Sequence, residues 1–119
     1  MTNLDRTINY IEFPLVDAGR TKDFYGFAFG WRFQDWGETY ISFDGAGVEG
    51  GFNGATGVPV RAPGVLVVLY AADLAATLAA VKAAGGTILQ EPYDFPGGRR
   101  FHFADPNGNE LAVWTEAAQ

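Results

Sequence analysis

Cysteine is absent from the 119-residue chain, which excludes a disulfide framework, a thiolate nucleophile and any cysteine-based zinc or iron–sulfur centre. There is one histidine, His102, so no site built on two imidazoles can form within one chain. Basic residues are few: 8 Lys and Arg stand against 14 Asp and Glu, a formal charge of −6. An acidic chain without a basic run repels a phosphate backbone, and no nucleic-acid partner is expected. Long apolar runs are also missing. The longest, Val65 to Ala72, falls far short of a bilayer span, so no membrane partner is expected. Met1 to Arg6 carries no apolar segment of the kind a signal peptide needs, and a cytoplasmic location is expected.

What is present suits a globular chain. Apolar types make up 48% and charged types 18%, far from the signature of disorder. The length predicts a single domain over residues 1–119 with its own core. Many short segments are punctuated by 16 glycines and 6 prolines. Thr7 to Pro14 reads as a strand ended by proline. Asp17 is placed to cap a helix over Ala18 to Phe29, closed by Gly30. Trp31 to Trp36, Thr39 to Phe43 and Val48 to Phe52 read as strands, with Asp44-Gly45 as a hairpin signal. The glycines of the last, Gly50 and Gly51, suggest curvature or a close approach.

A polar link rich in glycine and proline runs from Asn53 to Gly64. The series then repeats. Val65 to Tyr70 reads as a strand buried on both faces, and Asp73 caps a helix over Leu74 to Ala84, stopped by Gly85-Gly86. Thr87 to Gln90, Arg99 to Ala104 and Glu110 to Thr115 are further strands. Pro92 to Gly98, with Tyr93 and Phe95, reads as a loop able to close over a cleft. The same interval separates Asp17 from Gly30 and Asp73 from Gly86, and Asp44-x-x-Gly47 matches Asp105-x-x-Gly108. The organisation is thus two βαβββ modules, about 7–53 and 64–116. The expected fold class is α+β: a curved, eight-stranded mixed sheet around a cleft, with the helices outside. A concave surface between repeats suits a small-molecule ligand.

These residues resemble a known family. The helix Phe24-Tyr25-Gly26-Phe27-Ala28-Phe29-Gly30-Trp31, Asp17, and the run Asp105-Pro106-Asn107-Gly108-Asn109-Glu110-Leu111 are similar to the vicinal oxygen chelate superfamily of glyoxalase I, fosfomycin and bleomycin resistance proteins and extradiol dioxygenases. The first strand, Tyr10-Ile11-Glu12-Phe13-Pro14, resembles a glyoxalase-like subgroup of unassigned activity. The resemblance implies a homodimer. It also implies where a divalent metal would be held, and those positions fall on Tyr10, Gly51, Leu66 and Ala112. A lone phenol is a poor partner for such an ion, so no metal cofactor is expected at that centre.

Period-two alternation places Tyr10 with Glu12, Arg100 with His102, and Glu110 with Ala112 and Trp114. If these faces point inward, Glu12, His102 and Glu110 share a cleft with Arg100, and Glu49 is a further inner carboxylate. Together they hold a substitute ion or act as an acid–base group without one. Glu12 and His102 are the candidate catalytic residues, because a cleft carboxylate or an imidazole can move a proton near neutral pH. Tyr10, Glu12, Arg100, His102, Glu110 and Trp114 are the candidate ligand contacts, with Arg100 able to clamp an anion. Trp36, Tyr40 and Phe52 are candidate cleft walls. The functional expectation is a binder of a small organic molecule. If an enzyme, it is a glyoxalase-like lyase or isomerase, with Tyr10 or Arg100 stabilising an oxyanion. The alternatives are a sequestration protein holding a cationic ligand and a metal-dependent lyase with substitute ligands.

Overall fold

The computed structural model describes residues 4–55 and 64–117, so most of the expected link lies outside the described residues. Two aspartates start the two helices as their sequence positions predict. Asp17 Oδ1 accepts from Arg20 N at 3.0 Å, and Asp73 Oδ1 from Ala76 N at 3.0 Å, each satisfying an N–H that the helix cannot. Helix α1 spans Ala18–Phe29 and helix α2 spans Leu74–Ala83. Gly30 closes α1 at φ 74°, a left-handed conformation that costs glycine little. Ala84, expected as the last residue of α2, is its right-handed cap. No helix among the described residues is long and apolar enough to cross a membrane.

Eight strands complete two βαβββ modules, giving an α+β fold. They are β1 Tyr10–Pro14, β2 Arg32–Asp35, β3 Tyr40–Asp44, β4 Glu49–Asn53, β5 Val67–Tyr70, β6 Thr87–Phe95, β7 Gly98–Ala104 and β8 Glu110–Glu116. They form two four-stranded sheets, ordered β1-β4-β3-β2 and β5-β8-β7-β6, rather than hydrogen-bonding into one. In each module the first strand returns beside the last in parallel, so each sheet closes on its own module. The modules meet through side chains and through α1 against α2 instead.

The residue Pro92 to Gly98 stretch differs from its reading as a free loop. β6 continues through Tyr93 to Phe95 and pairs with β7, leaving a tight turn at Pro96-Gly97. β5 differs as well. Val67 and Leu69 face the core while Val68 and Tyr70 are exposed, so this strand is buried on one face only.

Alternation sorts each sheet into an apolar face and an open face. The apolar faces and the helices share one core. On α1, Phe24 and Tyr25 are fully buried, while Phe27 points to solvent, as helical spacing dictates. Tyr25 stacks on Trp31 at 4.5 Å and meets Phe52 at 5.3 Å, whereas Phe24 meets Phe103 of the other sheet at 5.7 Å. Phe52, read as a cleft wall, is therefore core. Gly50 makes this packing possible. A Cβ there would lie 2.2 Å from the Ile11 carbonyl and 2.4 Å from the Phe43 ring, so only glycine lets β1, β4 and Phe43 approach so closely.

The turn Asp105 to Asn109 carries polar bonds that cross between the modules. Asp105, Asn107 and Asn109 are all buried. The Asp105 carboxylate accepts from Tyr25 Oη at 2.9 Å, from the backbone N–H of Asn107 at 2.9 Å and of Asn109 at 2.8 Å, and from Asn109 Nδ2 at 3.1 Å. Asn107 Oδ1 accepts from the backbone of Val16 at 2.7 Å and of Asp17 at 3.1 Å, and its Nδ2 donates to Thr21 Oγ1 at 2.9 Å. Asn109 Nδ2 also donates to the Pro14 carbonyl at 3.1 Å. A buried carboxylate is tolerated only when its acceptor sites are filled, and these are. Replacing it with Asp105→Ala orphans several buried donors and is expected to cost about 3–5 kcal/mol of unfolding free energy. Tyr25→Phe removes one donor and leaves the rest, at about 1 kcal/mol. Denaturant unfolding of the two variants checks the ranking.

Candidate functional site

The candidate residues fall into two groups, one on the open face of each sheet. The larger lies on β6, β7 and β8. The register sets Arg100 beside Trp114 and Tyr93, and His102 beside Ala112 and Gln90. His102 Nδ1 lies 2.9 Å from Glu110 Oε2, and its Nε2 lies 3.0 Å from Tyr93 Oη. Arg100 Nε donates to the same Tyr93 oxygen. An ionised Glu110 can only accept, so Nδ1 carries a proton, and whenever the ring is neutral its Nε2 accepts from the Tyr93 hydroxyl. Glu110, His102, Tyr93 and Arg100 thus form one hydrogen-bonded chain. His102 is 13% and Glu110 29% exposed, so the chain is sheltered yet reachable. Around it, the Tyr70 ring lies 5.3 Å and the Phe95 ring 6.2 Å from Trp114. Tyr70 donates to Glu116, which holds that carboxyl below the usual range. The same bond, with the carboxylate's charge, raises the Tyr70 phenol.

The second group lies on β1, β3 and β4. Tyr40 Oη lies 3.0 Å from Glu12 Oε1 and also bonds Tyr10 Oη, while Asn53 Nδ2 donates to Glu12 Oε2 at 3.3 Å. Trp36 Nε1 donates to Ser42 Oγ at 2.8 Å on the same face. Glu49 is exposed opposite Tyr10. Gly51 lies under the tyrosine pair: a Cβ there would come within 2.5 Å of Tyr40 Oη and 2.6 Å of Tyr10 Oη. The glycine therefore gives the two phenols their place. Its close approach, one of the two readings open from the sequence, is the one realised.

So the structure brings Arg100, His102, Glu110 and Trp114 together, and Tyr10 with Glu12, but no hydrogen bond joins the two groups among the described residues. Sequence reading missed Tyr93 as a partner of His102. Register shifts between Ile88 and Gln90 and between Gln90 and Tyr93 break the period-two count that would have placed it. Tyr40 and Asn53 needed the β3–β4 pairing, which no single-strand pattern contains. A separate groove of about 330 Å³ between the helices, lined by Ala28, Phe29, Ala76 and Ala80 among others, reaches the larger group only at Tyr70.

A sequence profile of the Glyoxalase/Bleomycin resistance protein/Dioxygenase superfamily matches residues 7–113, and the chain belongs to that superfamily. No curated protein matches it significantly. Solved structures with the same fold include a glyoxalase-related enzyme from Fulvimarina pelagi, at TM-score 0.78 and 22% identity over 93% of this chain and 88% of that one. A family enzyme from Burkholderia phytofirmans follows at TM-score 0.77 and 18% identity, over 91% and 97%. A Nocardioides member aligns at TM-score 0.72 and 21% identity, over 98% and 87%.

The metal positions implied by the family resemblance are poorly equipped. Tyr10 is engaged by Tyr40 above Gly51, and Ala112 and Leu66 supply no donor. One phenol with no carboxylate or imidazole does not fit a divalent ion. Nor do the described residues contain a group of three or more His, Asp or Glu arranged to hold one, so Glu12, His102 and Glu110 do not meet as ligands within the chain.

Besides Tyr70, two phenols have pKa values raised above their ordinary 10.0. Burial raises Tyr25, helped by the negative charge and hydrogen bond of Asp105. Burial also raises Tyr40, followed by its bonds to Tyr10 and Glu12. A raised folded-state value means that stability is intact below pH 10 and is lost as pH climbs above it. Ultraviolet titration of tyrosinate should show Tyr25 and Tyr40 ionising at higher pH in the folded protein than after guanidinium unfolds it, when both return to about 10.

Proposed function

We propose that the chain binds a small, partly aromatic organic molecule on the open face of the β5-β8-β7-β6 sheet and moves a proton on a carbonyl compound there, without a resident metal. The observation that supports this reading is the chain of hydrogen bonds from Glu110 through His102 and Tyr93 to Arg100. Glu110 orients the imidazole and stabilises it when it becomes charged. His102 takes or returns a proton through the Tyr93 hydroxyl. Arg100, already bonded to the phenol oxygen, favours negative charge developing beside it. In this reading the chain is a glyoxalase-like lyase or isomerase that has kept the superfamily's fold and uses its own side chains.

Glu12 and Tyr10 enter through a second copy. In one chain their face is separate from that of His102, and both faces expose large side chains: Trp36 on one, Val68 and Tyr70 on the other. A homodimer that sets the first sheet of one copy against the second sheet of the other encloses the ligand between them. A non-catalytic reading, sequestration of a cationic ligand, is favoured by the first face alone, where Glu12 sits with Tyr40 and Tyr10 on a sheet that also exposes Trp36.

Proton transfer is testable without knowing the substrate. A panel of aldehydes and ketones in deuterium oxide, followed by proton NMR, should show the wild type accelerating α-deuteration of at least one compound. His102→Gln and Tyr93→Phe should each slow it by about a hundredfold. Binding with no exchange for any compound would leave the sequestration reading in its place.

A further inference from the structure

Arg100 has more donors than the described residues give it acceptors. Its guanidinium carbon stands 5.6 Å from the centre of the Tyr93 ring and 5.5 Å from that of Phe95, so two aromatic rings fix its position. Among the described residues only Nε is engaged, by Tyr93 Oη. Nearby charges are already committed: Arg99 pairs with Asp94, Glu110 bonds His102, and Glu116 accepts from Tyr70. Among the described residues no carboxylate pairs with Arg100, and its two terminal nitrogens have no acceptor. A half-buried guanidinium held by rings with a bare fork is a receptor for a planar anion, because the fork matches two oxygens at once.

We infer that the Arg100 fork receives the carboxylate of a small planar or aromatic acid, whose body rests among Phe95, Trp114 and Tyr70. This deepens the proposed function and rests on its claim that this face takes the ligand. A carboxylate suits the site better than a phosphate. One guanidinium stands on a face that also carries Glu110 and Glu116, so a single negative charge is accommodated and a dianion is repelled. The placement also orients the ligand: with its carboxylate on Arg100, atoms next to that group lie near the Tyr93 hydroxyl, at the end of the His102 relay.

The test compares benzoate, its neutral isostere benzamide and inorganic phosphate by NMR titration of the full-length protein at constant ionic strength. Benzoate should shift the Arg100 Nε–H and Trp114 indole signals and bind about tenfold or more tightly than benzamide. Arg100→Gln should bring the two within about twofold, while Arg100→Lys retains part of the preference. The spectrum of each variant reports its folding directly. Equal binding of benzoate and benzamide at this face, a preference that survives Arg100→Gln, or phosphate binding more tightly than benzoate would overturn the carboxylate inference and leave the ligand face standing. Absence of all three probes from this face would bring down both.

Discussion

The Asp105 carboxylate, buried at the junction of the modules, is the interaction on which the rest of the structure hangs. It does two things at once. It gathers the Asn107 and Asn109 amides into a rigid turn, and it takes the hydroxyl of Tyr25 from the opposite module. The shaped turn then presents Asn107 to the start of α1 and Asn109 to the end of β1. An unpaired carboxylate here would cost several kcal/mol, so the turn forms in full or hardly at all. That all-or-none character fixes how the two modules sit, because their strands do not pair with each other.

Docking through helices and a turn has a consequence for the sheets. The apolar faces are consumed by the core, with Phe24 reaching one sheet and Tyr25 the other. The open faces are left for polar side chains that would be intolerable inside. On the second sheet these become the Glu110–His102–Tyr93–Arg100 chain, and on the first the Tyr10–Tyr40–Glu12 cluster. Both are built of residues whose hydrogen bonds run across strands, so sheet register positions them more firmly than any loop would. At the positions where the family resemblance implies a metal, the chain carries Tyr10, Gly51, Leu66 and Ala112: one phenol, a glycine and two apolar side chains.

Much of this was legible in the sequence because it depends on local chemistry. Asp17 and Asp73 announced the helices, Gly30 the end of the first, and alternation put His102 and Arg100 on one face. The Asp105 run marked a turn, but its partners lie in the other module, and nothing local names Tyr25 or Thr21 as the groups it would meet. Two glycines hinted at a close approach without saying what approaches. Tyr93 was hidden by its neighbours. Pro92 and Gly97-Gly98 read as loop, whereas β6 continues with irregular register and swings the phenol onto His102. Whether eight strands form one sheet or two is likewise a matter of pairing between distant segments, which composition and periodicity do not encode.

Native-state hydrogen exchange at the junction tests the central claim most directly. The backbone amides of Val16, Asp17 and Asn109 lie outside regular hydrogen-bonded helix or sheet interiors, yet each is held by Asn107 or Asp105. The account predicts that they exchange only by global unfolding, with protection equal to that of the core amides of β7 and β8. Exchange as fast as at the exposed Gly37 turn would mean that the modules are not clasped there, and would contradict it.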